Sequence, residues 1–88
     1  MFYAYVLRSL KDKELYVGST NDLKNRLSEH NSGLVRSTKS RTPFKLVYYE
    51  AFLSEKEARY REKRLKYRGQ ARRQLLERIK ESIVLASK

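Results

Sequence analysis

Hydrophobic and polar positions divide this chain into six blocks, each with its own period. Phe2 to Leu7 is aromatic and branched, closes on Arg8-Ser9, and reads as a strand. Lys11-Asp12-Lys13-Glu14 is a polar turn. Leu15 to Gly18 is a second short strand, antiparallel to the first because the link is short. Ser19-Thr20-Asn21-Asp22 offers helix-capping side chains and an acid for the first turn. The helix that follows closes at Asn31-Ser32-Gly33, with Gly33 suited to the left-handed closing position. Leu34 to Thr42 is a basic, Ser/Thr-rich loop punctuated by Pro43. Phe44 to Leu53 is a third strand. Ser54-Glu55-Lys56-Glu57 is a capping box opening a second helix that runs to about Tyr67 and ends at Gly69. Gln70 to about Leu85 is a last helix with Leu75, Leu76, Ile79 and Ile83 on one face. The order is β-β-α-β-α-α, an α+β arrangement over residues 1–88, with no internal repeat and no linker.

Two helices break their own pattern. Positions i, i+3, i+4 and i+7 share a helix face. From Leu23 these are Arg26, Leu27 and His30; from Ala58 they are Arg61, Glu62 and Leu65. An arginine, the only histidine and a glutamate thus stand where hydrophobes belong. A charge in such a place needs a partner, an ion or a chemical task. Pairing of Arg26 with Glu62 across the helices, with His30 a satisfied imidazole, is the plain structural account. Three such residues in one small domain favour a site. Tyrosine adds to the set: Tyr5 and Tyr16 lie on the two strands expected to pair, and Gly18 leaves open space beside Tyr16.

Composition narrows the choice. With 88 residues the chain is one domain, and a domain this small buries only ~60–65% of its unfolded surface. Lys and Arg number 21 against 10 acids, a net charge of +11. That balance favours a polyanion, nucleic acid first and an anionic membrane surface second. There is no cysteine, which excludes disulfides, thiolate metal sites and cysteine nucleophiles. The start MFYAYVLRSL lacks a basic n-region, and no segment is long enough to span a bilayer, so the expected location is the cytoplasm. In the loop Arg36, Lys39 and Arg41, and near the second helix Arg59, Lys63, Arg64, Lys66 and Arg68, are candidates to follow a nucleic-acid backbone. The last helix would close the core; a monomer or weak dimer is expected.

Taken in order, these fragments resemble the GIY-YIG nuclease domain in its small stand-alone form, over Phe2 to about Tyr67. Tyr3-Ala4-Tyr5 stands where the family has Gly-Ile-Tyr, and Tyr16-Val17-Gly18 where it has Tyr-Ile-Gly. The helix NDLKNRLSEHNSG follows, then TPFKLVYYEAF, then SEKEARYREKRLK with Glu62. The resemblance implies a three-stranded antiparallel sheet flanked by helices. It implies an endonuclease hydrolysing phosphodiesters in DNA with Mg²⁺ or Mn²⁺, structure-selective or weakly selective, in repair or processing. It carries Tyr5, Tyr16, Arg26, His30 and Glu62 into the site. RNA stays open as a substrate, and a non-catalytic nucleic-acid-binding module is the alternative.

One carboxylate suits a single Mg²⁺ bound through waters and phosphate oxygens, so Glu62 is the expected metal ligand. Arg26 can fork two phosphate oxygens. Tyrosine, with an ordinary pKa near ~10, is a poor base unless Arg26 or the metal lowers it. Whether Tyr5 or His30 is the final base is left open by these residues.

Overall fold

The computed structural model describes residues 1–87. Three strands form one antiparallel sheet: β1 (Phe2–Ser9), β2 (Leu15–Thr20) and β3 (Phe44–Phe52), in the order β2-β1-β3. Four helices surround it: α1 (Leu23–Asn31), α2 (Glu55–Lys66), α3 (Gln70–Arg78) and α4 (Lys80–Ala86). A single 3₁₀ turn, Lys39–Arg41, interrupts the basic loop. The element order matches the sequence pattern, with one addition at the C-terminus.

Alternation along β1 sends its side chains into two layers. Tyr5 and Leu7 join Phe44 in one, covered by Leu23 and Leu27 of α1. Val6 joins Val17, Leu65, Leu75 and Ile79 in the other, built from β2, α2 and α3, with Ile83 of α4 against it. A bulge in β3 between the partners of Val6 and Leu7 leaves Val47 unpaired and keeps both layers in phase.

The caps are largely those the sequence suggests. Asp22 Oδ1 accepts the Asn25 N–H at 3.1 Å, so Asp22 is itself the cap of α1 rather than an acid in its first turn. Ser54 Oγ accepts the Glu57 N–H at 3.2 Å. Gly33 closes α1 with φ +74°, where a side chain would be strained. The expected single helix from Gln70 to Leu85 is two. It bends at Ile79 (φ −108°, ψ 17°), which is itself buried. The bend lets Leu75 and Ile79 fill the core while α4 turns to lie along β3.

Candidate active site

The two strand tyrosines, the histidine and Gly18 form one packed unit. The Tyr5 ring lies directly across Gly18: a Cβ there would sit 2.6 Å from Tyr5 Cζ and closer still to the hydroxyl oxygen. The space expected to be open beside Tyr16 is therefore filled by Tyr5. Glycine is required at 18 for this close approach, not for its backbone angles. Tyr16 stacks edge-on to His30 with ring centroids 5.0 Å apart, and the Tyr5 and His30 centroids lie 5.9 Å apart.

His30 does not line a cleft, as its helix position suggests; it is wholly buried at 0% exposure. Both ring nitrogens are bonded. Nε2 lies 2.8 Å from the Tyr5 hydroxyl and Nδ1 lies 2.8 Å from Thr38 Oγ1. Thr38 Oγ1 in turn is 3.4 Å from the Val35 carbonyl, to which it donates. That donation leaves Thr38 an acceptor for an Nδ1–H, and so leaves Nε2 an acceptor for the Tyr5 O–H. The reversed tautomer fits the same heavy atoms and forgoes the bond to Val35.

Burial sets the acid–base state of this pair. Desolvation lowers the His30 pKa from its ordinary value, and the Arg26 charge adds to the effect. Desolvation pushes Tyr5 up to about 12, with the Arg26 guanidinium beside it pulling the other way and losing. Arg26 therefore does not make Tyr5 a base in the free protein, contrary to the expectation. At neutral pH the pair is a phenol and a neutral imidazole.

Arg26 and Glu62 do not pair. Arg26 Nη1 bonds Glu29 Oε1 at 3.2 Å and stays half-buried in a cleft of about 420 Å³ that Ser19, Asn21 and Arg59 also line. Ser19 Oγ, at the end of β2, donates to Glu62 Oε1 at 2.5 Å. Lys66 Nζ, one turn further along α2, bonds Glu62 Oε2 at 2.6 Å. Ala58 and Leu65, each 1% exposed, anchor the same helix face and aim Glu62 to the sheet edge. Among the described residues no group of three or more His, Cys, Asp or Glu converges. The donor set is thus one carboxylate with a neighbouring hydroxyl. It fits a hard cation that keeps most of its waters and takes phosphate oxygens from a substrate.

The basic loop reaches the buried pair through Thr38. Thr38 is 0% exposed beneath His30. Buried Ser9 donates to the Arg41 carbonyl at 2.6 Å and accepts the Lys11 and Asp12 N–H groups, latching the β1–β2 turn to the loop. Arg41 Nε bonds Asp12 Oδ2 at 2.6 Å and its guanidinium lies over the Phe44 ring. Of the loop cations expected to meet nucleic acid, Arg41 is engaged in this way, while Arg36 and Lys39 stay exposed. On α2, Arg59 pairs with Glu55 and remains 72% exposed; Lys63 and Arg64 are exposed. Asn31 ties α1 to β3 by accepting the Phe44 N–H at 2.7 Å and donating to its carbonyl at 3.1 Å.

Sequence reasoning missed Thr38, and it named Ser19 for helix capping and Lys66 for nucleic-acid contact without their bonds to Glu62. For Lys66 a signal existed: it stands four residues after Glu62, the spacing of a helical ion pair. Thr38 and Ser19 carried none beyond the Ser/Thr content of their segments.

A fold with this tyrosine pair, arginine, histidine and lone glutamate is that of a GIY-YIG domain. The family model of the GIY-YIG catalytic domain matches residues 1–80, and the chain belongs to that family. It is 46% identical over 63 residues to a UPF0213 protein of Clostridium perfringens, covering 70% of this chain and 67% of that one. It is 46% identical over 65 residues to a UPF0213 protein of Bacillus pumilus, covering 73% and 65%. The solution NMR structure of a UPF0213 protein from Bacillus halodurans superposes with a TM-score of 0.51 at 36% identity, over 86% of this chain and 82% of that one. No helix among the described residues is long and apolar enough to cross a membrane.

Proposed function

We propose that this domain is a divalent-metal-dependent endonuclease that hydrolyses a phosphodiester bond in DNA. The observation that carries the reading is the Tyr5–His30–Thr38 chain, a phenol bonded to a buried neutral imidazole in a family of nucleases.

In this reading the attacking water gives its proton to the Tyr5 oxygen while the Tyr5 proton passes to His30 Nε2. His30 is the final base and Tyr5 the relay, because His30 Nε2 accepts the Tyr5 hydroxyl and its other nitrogen is taken by Thr38. Nδ1–H bonded to Thr38 holds the ring turned for this transfer. Arg26 leaves Glu29 to fork the scissile phosphate and stabilise its added charge. Glu62 would hold the metal, Mg²⁺ or Mn²⁺, which supplies charge neutralisation and helps ionise the water. Tyr16 packs against His30 and shapes the floor of the site. General-base assistance is worth ~10²–10⁴-fold, so Arg26 and Glu62 carry much of the remainder. Arg36, Lys39, Arg59, Lys63 and Arg64 would follow the strand, giving affinity with little sequence readout. A role in DNA repair or processing in the cytoplasm, and preference for single-stranded or branched DNA, belong to the same proposal.

The test is cleavage of labelled single-stranded, duplex and branched DNA in Mn²⁺, wild type beside Glu62→Ala. Cutting by wild type is expected to fall on the order of a thousandfold in the variant. No cutting of any substrate, together with salt-sensitive binding, replaces the enzyme with a binding module.

A further inference from the structure

The Lys66 ammonium is bonded to Glu62, the residue that would hold a metal. It lies 2.6 Å from Glu62 Oε2, while Ser19 donates to Oε1. Both oxygens of the site's lone carboxylate are therefore engaged in the free protein. Lys66 is also held in place from other sides. Its Nζ lies 6.0 Å from the centre of the Tyr16 ring, and its side chain lines, with Tyr16, Arg68 and Arg72, an open cleft of about 300 Å³. That cleft is basic and adjoins the site. It gives a displaced ammonium somewhere to go: onto a phosphate oxygen of a strand lying there.

We propose that Lys66 is a displaceable placeholder that keeps the metal off Glu62 until a nucleic-acid strand draws it away. This inference rests on Glu62 being the metal ligand. A monovalent ammonium and a divalent cation compete for the same Oε2, and the positive charge of Lys66 repels the newcomer while it stays. A strand phosphate offers Lys66 an alternative anion, frees Glu62, and brings its own oxygens as further ligands. Metal and strand then bind with positive coupling, which by linkage runs in both directions. The chain's remaining basic surface stays unmetallated when no strand is present. Lys66 is a positioning residue in this scheme, since it acts on the reaction through Glu62.

The experiment measures Mn²⁺ affinity by calorimetry and by the paramagnetic resonance of free Mn²⁺, for wild type, Lys66→Met, Lys66→Arg and Glu62→Gln. Each is measured alone and with a short single-stranded oligonucleotide whose linkages are non-hydrolysable methylenephosphonates. The Lys66 side chain is half exposed, 49%, so its loss leaves no core void, and circular dichroism melting checks each fold. Lys66→Met alone is expected to bind Mn²⁺ roughly three- to tenfold more tightly than wild type. Lys66→Arg should stay close to wild type, because it keeps a cation on Glu62. The oligonucleotide should tighten Mn²⁺ binding markedly in wild type and much less in Lys66→Met. Equal Mn²⁺ affinity in wild type and Lys66→Met, with binding still lost in Glu62→Gln, overturns the placeholder and leaves the metal reading standing. Absence of Mn²⁺ binding in every protein, with and without the strand, removes the metal reading and the placeholder with it.

Discussion

The two faces of the sheet are built by adjacent residues of one strand and differ in kind. Tyr5 and Val6 are each 1% exposed, yet Tyr5 is bonded to a histidine and Val6 packs in an apolar cluster. That cluster on the α2–α3 face contains Val17, Leu65, Leu75 and Ile79. The α1 face buries His30 and Thr38 beside Leu7 and Phe44. A single strand thus faces an apolar cluster on one side and a buried hydrogen-bonded chain on the other. Burial alone does not tell the two apart; hydrogen bonding does.

That division is open to attack residue by residue. The largest effect is expected from Tyr5→Phe, which keeps the ring across Gly18 and removes only the relay oxygen. Cleavage should fall ~10²–10⁴-fold, while the buried His30 Nε2 left without its partner costs about 1–3 kcal/mol, less than the loss expected in the apolar layer. In wild type the rate should hold through the ordinary histidine range and drop only at lower pH, since burial lowers the His30 pKa and the neutral ring persists further into acid. The reverse pattern belongs to Leu65→Ala. A side chain 1% exposed in the apolar layer is lost, so stability should drop by about 2–5 kcal/mol, read by thermal melting. Activity measured well below the new midpoint should be nearly unchanged; a large loss there would mean that the layers are not separable.

Gly18→Ala tests the seam. The added methyl meets the Tyr5 ring, and overpacking of this kind costs about 1–3 kcal/mol. Because the ring must move, cleavage should fall alongside the melting temperature, unlike in Leu65→Ala. The smallest effect lies at the loop latch. Arg41 holds the Asp12 carboxyl at about 2, below its ordinary 3.8. The folded state thus prefers the ionised form. The stabilisation is present above pH 3.8 and is lost as pH falls toward 2. Asp12→Asn should lower neutral-pH melting slightly and flatten that part of the acid-unfolding curve, the two proteins converging as pH falls toward 2.

Much of the backbone was legible because periodicity and capping residues report local structure directly. Asp22, Gly33 and Ser54 each do at their helix ends what their residue type suggests. The break at Ile79 was not legible, because Leu75, Ile79 and Ile83 keep an unbroken helical spacing through it; wrapping along β3 decides the bend. Tyr5, Arg26, His30 and Glu62 stood out as polar residues on strand and helix faces. Their couplings did not, since each is a distant tertiary contact: Tyr5 with His30, His30 with Thr38, Ser19 with Glu62. The loop looked like a cationic surface, and its buried threonine shows how a Ser/Thr-rich segment can be read only by its charges.

The bulge at Val47 has a consequence for inheritance. Side chains in a strand alternate, so a one-residue slip of β1 would exchange Tyr5 with Val6 between the layers. The unpaired residue in β3 pins the register in which both are correctly placed. Any descendant that keeps its apolar layer intact therefore also keeps position 5 aimed at position 30. Pressure on folding alone would conserve the geometry of the site long after pressure on its chemistry had lapsed, while leaving the identities of those two residues free to drift.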